Sequence, residues 1–287
     1  MPVAAVEIVE VAPRDGLQNE AEIVGIDDKL ELIARAIAGG ARRIEVGSFV
    51  NPARVPQMAD TDQLAMRLPE VAGVTYLGLV LNMRGADRAL ATRIHELGAV
   101  CIATDSFAMR NQGQTSAGSV AAALGIVEHA RAAGRSAQVT IGAAFGCPFE
   151  GEVDPDRVVA MAAELAAGNP REIGLADTIG VAAPPQVAEL VTRVAQVVAP
   201  IPVRIHLHNT RNTGLANVWA AVLAGATTID ASIGGLGGCP FAPGAAGNVP
   251  TEDVVYMLER SGVNTGLDLD ALIDTARWFT DVMGRPL

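Results

Sequence analysis

Eight short runs of β-branched and aliphatic residues, each bounded by turn formers, constrain what this chain can fold into more than any other feature. They are Val6 to Val11, Arg43 to Val46, Val74 to Leu81, Ala99 to Ala103, Gln138 to Ala143, Glu172 to Ala176, Val203 to His208 and Thr227 to Ser232. Between them lie stretches rich in Ala, Leu, Glu and Arg with helical periodicity, among them Asp27 to Ala38, Ser119 to Ala133, Asp156 to Ala167, Pro185 to Val198 and Leu215 to Ala224. Strand and helix alternating eight times, at roughly thirty residues per unit, predict an α/β fold of the (β/α)8 TIM barrel type. A doubly wound open sheet more often has about five or six strands and a glycine-rich phosphate turn after the first. Here that place reads Pro13-Arg14-Asp15-Gly16. Thr251 to Leu287 adds two helical stretches beyond the eighth unit, and no linker or low-complexity run divides the chain. Residues 1–287 are therefore expected to form a single barrel domain, with 251–287 as a C-terminal helical extension.

A chain of 287 residues can bury a large core in one unit. Half of it is hydrophobic but only 3% is aromatic, so Ala, Val, Leu and Ile must do the packing, as in helix-clad parallel sheets. The formal charge of -11 argues against long-range attraction to nucleic acid or acidic lipid, and an anionic substrate has to be caught locally by arginines. No stretch approaches the ~20 apolar residues of a membrane span, and Met1 to Val11 lacks the basic start and apolar segment of a signal peptide. A cytoplasmic location without membrane contact is the expectation. Three cysteines, Cys101, Cys147 and Cys239, are too few and too odd in number for a disulfide framework. The single lysine, Lys29, lies in the helical stretch for which Asp27 is a candidate N-cap. Schiff-base aldolases and pyridoxal-phosphate enzymes need a lysine at the reacting centre, so both classes are disfavoured.

Polar residues collect where a barrel keeps its chemistry, at the carboxyl ends of the strands. Strand one ends in Arg14 and Asp15, strand two carries Glu45 and Ser48, strand six runs into Asp177 and Thr178, strand seven supplies His206 and His208, and strand eight opens into the loop Gly234 to Asn248. Alternation places the two histidines on one face about 7 Å apart. A lone His-x-His is more often one core and one surface residue, and Asp177 alone reads as a helix N-cap, but five strand ends converging on one face read as a site. Asp15 with the two imidazoles, and Asn248 adding an amide oxygen, suits Mg2+ or Mn2+, with Zn2+ or Fe(II) also admissible. The planar fork of Arg14 suits a carbonyl or enolate oxygen, and Glu45 and Asp177 suit the orientation of ligands. The glycine-rich loop Gly234 to Asn248 is too long for a simple connector and reads as a lid carrying Cys239 as a proton donor or redox-sensitive thiol. Cys101 reads as core, Cys147 as a buried turn residue, and His95 and His129 as surface residues of helical stretches.

These stretches together resemble the 3-hydroxy-3-methylglutaryl-CoA lyase family, within the metal-dependent acyl-CoA lyases and condensing barrels. The resemblance runs from Val6 to about Leu269. It rests on Val9 to Glu20, Ser48-Phe49-Val50 with Val55-Pro56-Gln57-Met58, Gly146 to Gly151, Asp177-Thr178-Ile179-Gly180, His206-Leu207-His208, and above all Gly234-Gly235-Leu236-Gly237-Gly238-Cys239-Pro240 with Gly247-Asn248. It implies a barrel whose metal ligands are Asp15, His206, His208 and Asn248, whose catalytic arginine is Arg14 and whose loop cysteine is Cys239. Glu45, Asp177, Gln18 and Ser48 fall on further active-site positions, Gln18 and Ser48 as substrate contacts. The implied reaction is retro-Claisen cleavage of a small-molecule acyl-CoA, most directly 3-hydroxy-3-methylglutaryl-CoA to acetyl-CoA and acetoacetate, a step of leucine degradation. The chain departs from the family pattern at Thr104 to Gln112, and after His208, where Asn209, Arg211 and Asn212 stand. A related substrate such as citramalyl-CoA is therefore an alternative, as is a condensing synthase on the same barrel. An Fe(II) oxygenase and a non-catalytic acyl-CoA or metal sensor are the readings from other classes. A homodimer or higher homo-oligomer is compatible with the two C-terminal helices.

Overall fold

All eight expected strands form. The structure, a computed structural model, describes residues 4–238 and 247–287. In chain order its elements are β1 (Glu7–Glu10), α1 (Ile26–Ala38), β2 (Arg43–Ser48), α2 (Thr61–Arg67), β3 (Thr75–Val80), α3 (Met83–Leu90), β4 (Glu96–Ile102), α4 (Asp105–Gln112), α5 (Ser116–Ala132), β5 (Ser136–Gly142), α6 (Pro155–Ala166), β6 (Ile173–Asp177), α7 (Pro184–Val198), β7 (Val203–Leu207), α8 (Gly214–Leu223), β8 (Thr228–Ala231), α9 (Thr251–Arg260) and α10 (Leu269–Met283). The strands are parallel and close in sequence order, β1 pairing with β2 on one side and β8 on the other. Sequence periodicity overlooks α2, α3 and α4 because 7 or 8 residues make about two turns, too few for an apolar stripe to repeat.

The outer layer follows from helical spacing. On α7, Val187, Leu190, Val191, Val194 and Val198 recur at three- and four-residue steps and are all buried. Each such side chain contributes about 1.5 to 3 kcal/mol by leaving water. Two local expectations change. Gly25 precedes α1 as its N-cap and Asp27 lies inside the first turn, where its charge still complements the helix dipole. His95 lies just ahead of β4 rather than in a helix, its ring stacked 5.4 Å from that of Tyr76 and its Nδ1 3.0 Å from the Tyr76 N–H. His129 is on α5, half-exposed and 2.8 Å from Asp87. Cys101 and Cys147 are buried, as expected.

Inside the barrel the packing is polar. Arg43 donates to Glu7 at 2.8 Å, to Glu172 at 2.6 Å, and to Glu96. Arg204 lies 3.5 Å from the same Glu172, and Thr228 donates to that carboxylate at 3.0 Å. Val9, Val11 and Leu77 form a small apolar cluster apart from the main core. Gly98 leaves room for this arrangement, since a Cβ there would stand 2.9 Å from Gln138 Nε2. Breaking one buried pair of such a network costs about 3 to 5 kcal/mol, because it strands an uncompensated charge.

Candidate active site

Arg14 and Asp15 sit on a tight helical turn, Ala12–Gly16, that begins where β1 ends. The turn aims both side chains over the barrel mouth. Arg14 donates through Nη1 to Asp15 at 2.5 Å and through Nε to Glu45 of β2 at 2.7 Å, so its guanidinium bridges two carboxylates. His206 is in β7 and His208 is one residue past its end, held there by a bridge to Asn248. Their rings are closer than simple alternation suggests, with centroids 5.2 Å and Nε2 atoms 3.2 Å apart.

Asp15 Oδ2 lies 3.8 Å from His206 Nε2 and 3.9 Å from His208 Nε2. Ligand atoms of Asp15, His206 and His208 all lie within 4.8 Å of one another. A cation bonded at about 2.1 Å sets neighbouring donors about 3.0 to 3.4 Å apart in octahedral or tetrahedral geometry. The observed separations need only small side-chain adjustments to reach that. Asn248 donates through Nδ2 to Asp15 at 2.8 Å and to the Leu236 carbonyl at 3.0 Å, while its Oδ1 is buried without a hydrogen-bond partner. That buried, unpaired oxygen is the donor Asn248 would offer a cation once its amide turned over towards Asp15.

The electrostatics keep Asp15 in the ionised form a cation needs, while at His206 they favour the proton that a bound cation would displace. Burial alone would raise the Asp15 pKa, but Arg14, His206, His208 and the Asn248 amide outweigh it and hold the carboxyl well below the usual range. Burial would lower that of His206, but Asp230, through its hydrogen bond, and Asp15 outweigh it and the net shift is upward. The remaining expected residues divide. Glu45 and Gln18 line the same cavity of about 740 Å³, together with Arg14, Asp15 and both histidines. Asp177 is fully buried and does not line it: its carboxylate accepts the Val181 and Ala182 N–H groups at 3.0 and 2.9 Å, shaping the turn after β6 instead of capping α7. Ser48 is also buried and does not line the cavity, its hydroxyl without a hydrogen-bond partner. Cys239 and most of the loop read as a lid lie outside the described residues. Lys29 is buried against the Gln57 carbonyl and Asp60, away from the cavity, consistent with the absence of Schiff-base chemistry.

Several wall residues escaped sequence reading. Asp230 and Arg204 form part of the floor, Gln138 and Thr140 come from β5, and Arg110 and Gln112 from α4. The signal for the last two was the unusual run after the fourth strand. For the others it was inward alternation, which marks a face but not a partner.

The chain is similar to several known proteins. A family profile described as HMGL-like matches residues 5–278. A relative from Chloroflexus aurantiacus, an (R)-citramalyl-CoA lyase, is 45% identical over 99% of this chain and 92% of its own length. A 3-hydroxy-3-isohexenylglutaryl-CoA/hydroxy-methylglutaryl-CoA lyase of Pseudomonas aeruginosa is 38% identical over 98% and 93%. Among solved structures, an HMG-CoA lyase from Acinetobacter baumannii in complex with coenzyme A and 3-methylmalate superposes with a TM-score of 0.94 at 40% identity, covering 98% of this chain and 92% of the other.

Proposed function

The chain belongs to the HMGL-like family of carbon–carbon lyases acting on CoA esters, and from that premise we propose that it cleaves a 3-hydroxy-3-methyl acyl-CoA carrying a second carboxylate, giving acetyl-CoA and a ketoacid. Asp15, His206, His208 and Asn248 would hold a divalent cation, Mg2+ or Mn2+ by their mixed nitrogen and oxygen character. Such an ion, when bound, supplies positive charge that acidifies a neighbouring hydroxyl.

The chain's own residues account for the remaining steps. Asp15 is the candidate group for taking the proton of the tertiary hydroxyl; His206, the other candidate, has Nδ1 against Asp230 and Nε2 facing the cation site. As the resulting oxygen collapses to a ketone, the C2–C3 bond breaks and its electron pair moves onto the thioester. Arg14, fixed by Asp15 and Glu45, presents its guanidinium to the oxygen where that charge gathers. Cys239 is the candidate donor returning a proton to C2. The carrying observation is the convergence of three ligand atoms within 4.8 Å, with Arg14 against them at the mouth of one cavity.

Within this class the smaller citramalyl group is a specific second reading beside 3-hydroxy-3-methylglutaryl. It is favoured by the 45% identity to an (R)-citramalyl-CoA lyase, against 36% to 40% for relatives named as 3-hydroxy-3-methylglutaryl-CoA lyases, and by the non-standard α4 wall. Purified protein incubated with each CoA ester and Mg2+ or Mn2+ should release acetyl-CoA with acetoacetate from one or pyruvate from the other. Release of acetyl-CoA from neither would refute the assignment.

A further inference from the structure

We propose that Arg204 is a positioning residue for the cation site, acting through Asp230 to present His206 Nε2 as the metal-facing nitrogen. The inference rests on the metal reading above and concerns two side chains that reading leaves unused.

Asp230 Oδ2 stands 3.1 Å from His206 Nδ1 and accepts Arg204 Nη2 at 2.8 Å, while Asp230 Oδ1 is 2.6 Å from Arg204 Nε. The guanidinium thus holds the carboxylate through one hydrogen bond and one close ionic contact. All three residues are buried, and strand pairing sets His206 directly opposite Asp230. A carboxylate can only accept, so His206 must carry its proton on Nδ1. Nε2 is left with its lone pair, and it is Nε2 that faces Asp15 and His208.

Arg204 has a second role in this arrangement. Both Asp230 oxygens face its guanidinium, so the carboxylate meets Nδ1 as an acceptor. Glu172, 3.5 Å from Arg204 Nη1, and Arg43, 2.6 Å from Glu172, anchor the guanidinium from the barrel floor. Arg43 reaches His206 only through this chain and makes no contact with Asp230 in the network.

The test uses purified full-length protein with Mn2+ alone as probe. Metal affinity is read by calorimetry, and the His206 tautomer by 15N NMR of metal-free protein at alkaline pH. In the parent the tautomer should be Nδ1–H. Asp230→Asn, which offers an amide N–H to Nδ1, and Arg204→Met should weaken Mn2+ binding on the order of 10- to 100-fold and move the tautomer towards Nε2–H. Arg204→Lys keeps the charge and should recover most of the affinity, while Arg43→Met should lower the Tm yet leave affinity and tautomer near the parent. If Arg204→Met does not fold, Asp230→Asn and Arg204→Lys decide the matter. Parent affinity and tautomer in Asp230→Asn would overturn the inference, as would an Nε2–H His206 in the parent. A parent that binds no Mn2+ but shows Nδ1–H would instead sink the metal reading while leaving the Arg204–Asp230–His206 relay standing.

Discussion

Glu10 offers the most quantitative prediction. The side chain is fully enclosed at the end of β1, where Oε1 accepts the N–H groups of Ala12 at 2.8 Å and Ile233 at 3.0 Å, and Oε2 accepts the Thr251 hydroxyl at 2.7 Å. It thereby ties the turn bearing Arg14 and Asp15 to the stem of the loop after β8. Burial raises its pKa from 4.5 to about 8, the three hydrogen bonds offsetting only part of the effect. Between those two pH values the unfolded chain is ionised while the folded one keeps its proton. The folded state binds more protons, so stability present at low pH is lost as pH rises through the window. At about 1.4 kcal/mol per pH unit, the loss is capped near 5 kcal/mol by pH 8 and then levels off. Glu10→Gln should remove this slope. Its carbonyl can accept from Ala12 and Ile233 while its amide donates to the Thr251 oxygen, so the variant mimics the neutral acid at every pH. Urea unfolding should give free energies within about 1 kcal/mol of the parent at pH 5 and an advantage of several kcal/mol at pH 8. Glu252, a half-buried carboxyl with a raised pKa, is present in both proteins, and its charge adds to the upward shift of Glu10. Parallel stability profiles for parent and variant across the window would refute the reasoning.

Arg14→Lys keeps the charge but loses the fork that joins Asp15 to Glu45; kcat for acetyl-CoA release should fall on the order of 10²- to 10³-fold with little change in Tm, and an unchanged kcat would argue against Arg14 at the enolate oxygen. Dialysis against a chelator should abolish turnover and added Mg2+ or Mn2+ restore it in the parent but not in Asp15→Ala; a stripped protein at full activity would contradict the cation reading. Asp177→Ala leaves the Val181 and Ala182 N–H groups unpaired, which should cost about 1 to 3 kcal/mol in a denaturant titration; Asp177→Asn should recover part of that, and a neutral Asp177→Ala would show that the turn holds without it. Gly47→Ala would place a Cβ 2.6 Å from Thr61 Cγ2; overpacking of this kind costs about 1 to 3 kcal/mol, visible as a lowered Tm.

The order and approximate span of the strands and longer helices, and the gathering of Arg14, Asp15, Glu45, His206 and His208 at one end of them, are properties of local sequence. Period-two and period-3.6 patterns are written within a dozen residues, and parallel strands joined by helices leave their carboxyl ends on one rim. What a side chain meets across the barrel is a different kind of fact. Asp230 contacts His206 because β7 and β8 pair at that register. His95 packs on Tyr76, and Asn248 meets Asp15 through its amide N–H, through long-range approach alone. Register, bulges and strand closure are set by the summed packing of all eight strands, so no window of sequence contains them, and the polar chain from Arg43 to His206 existed only once the barrel had closed.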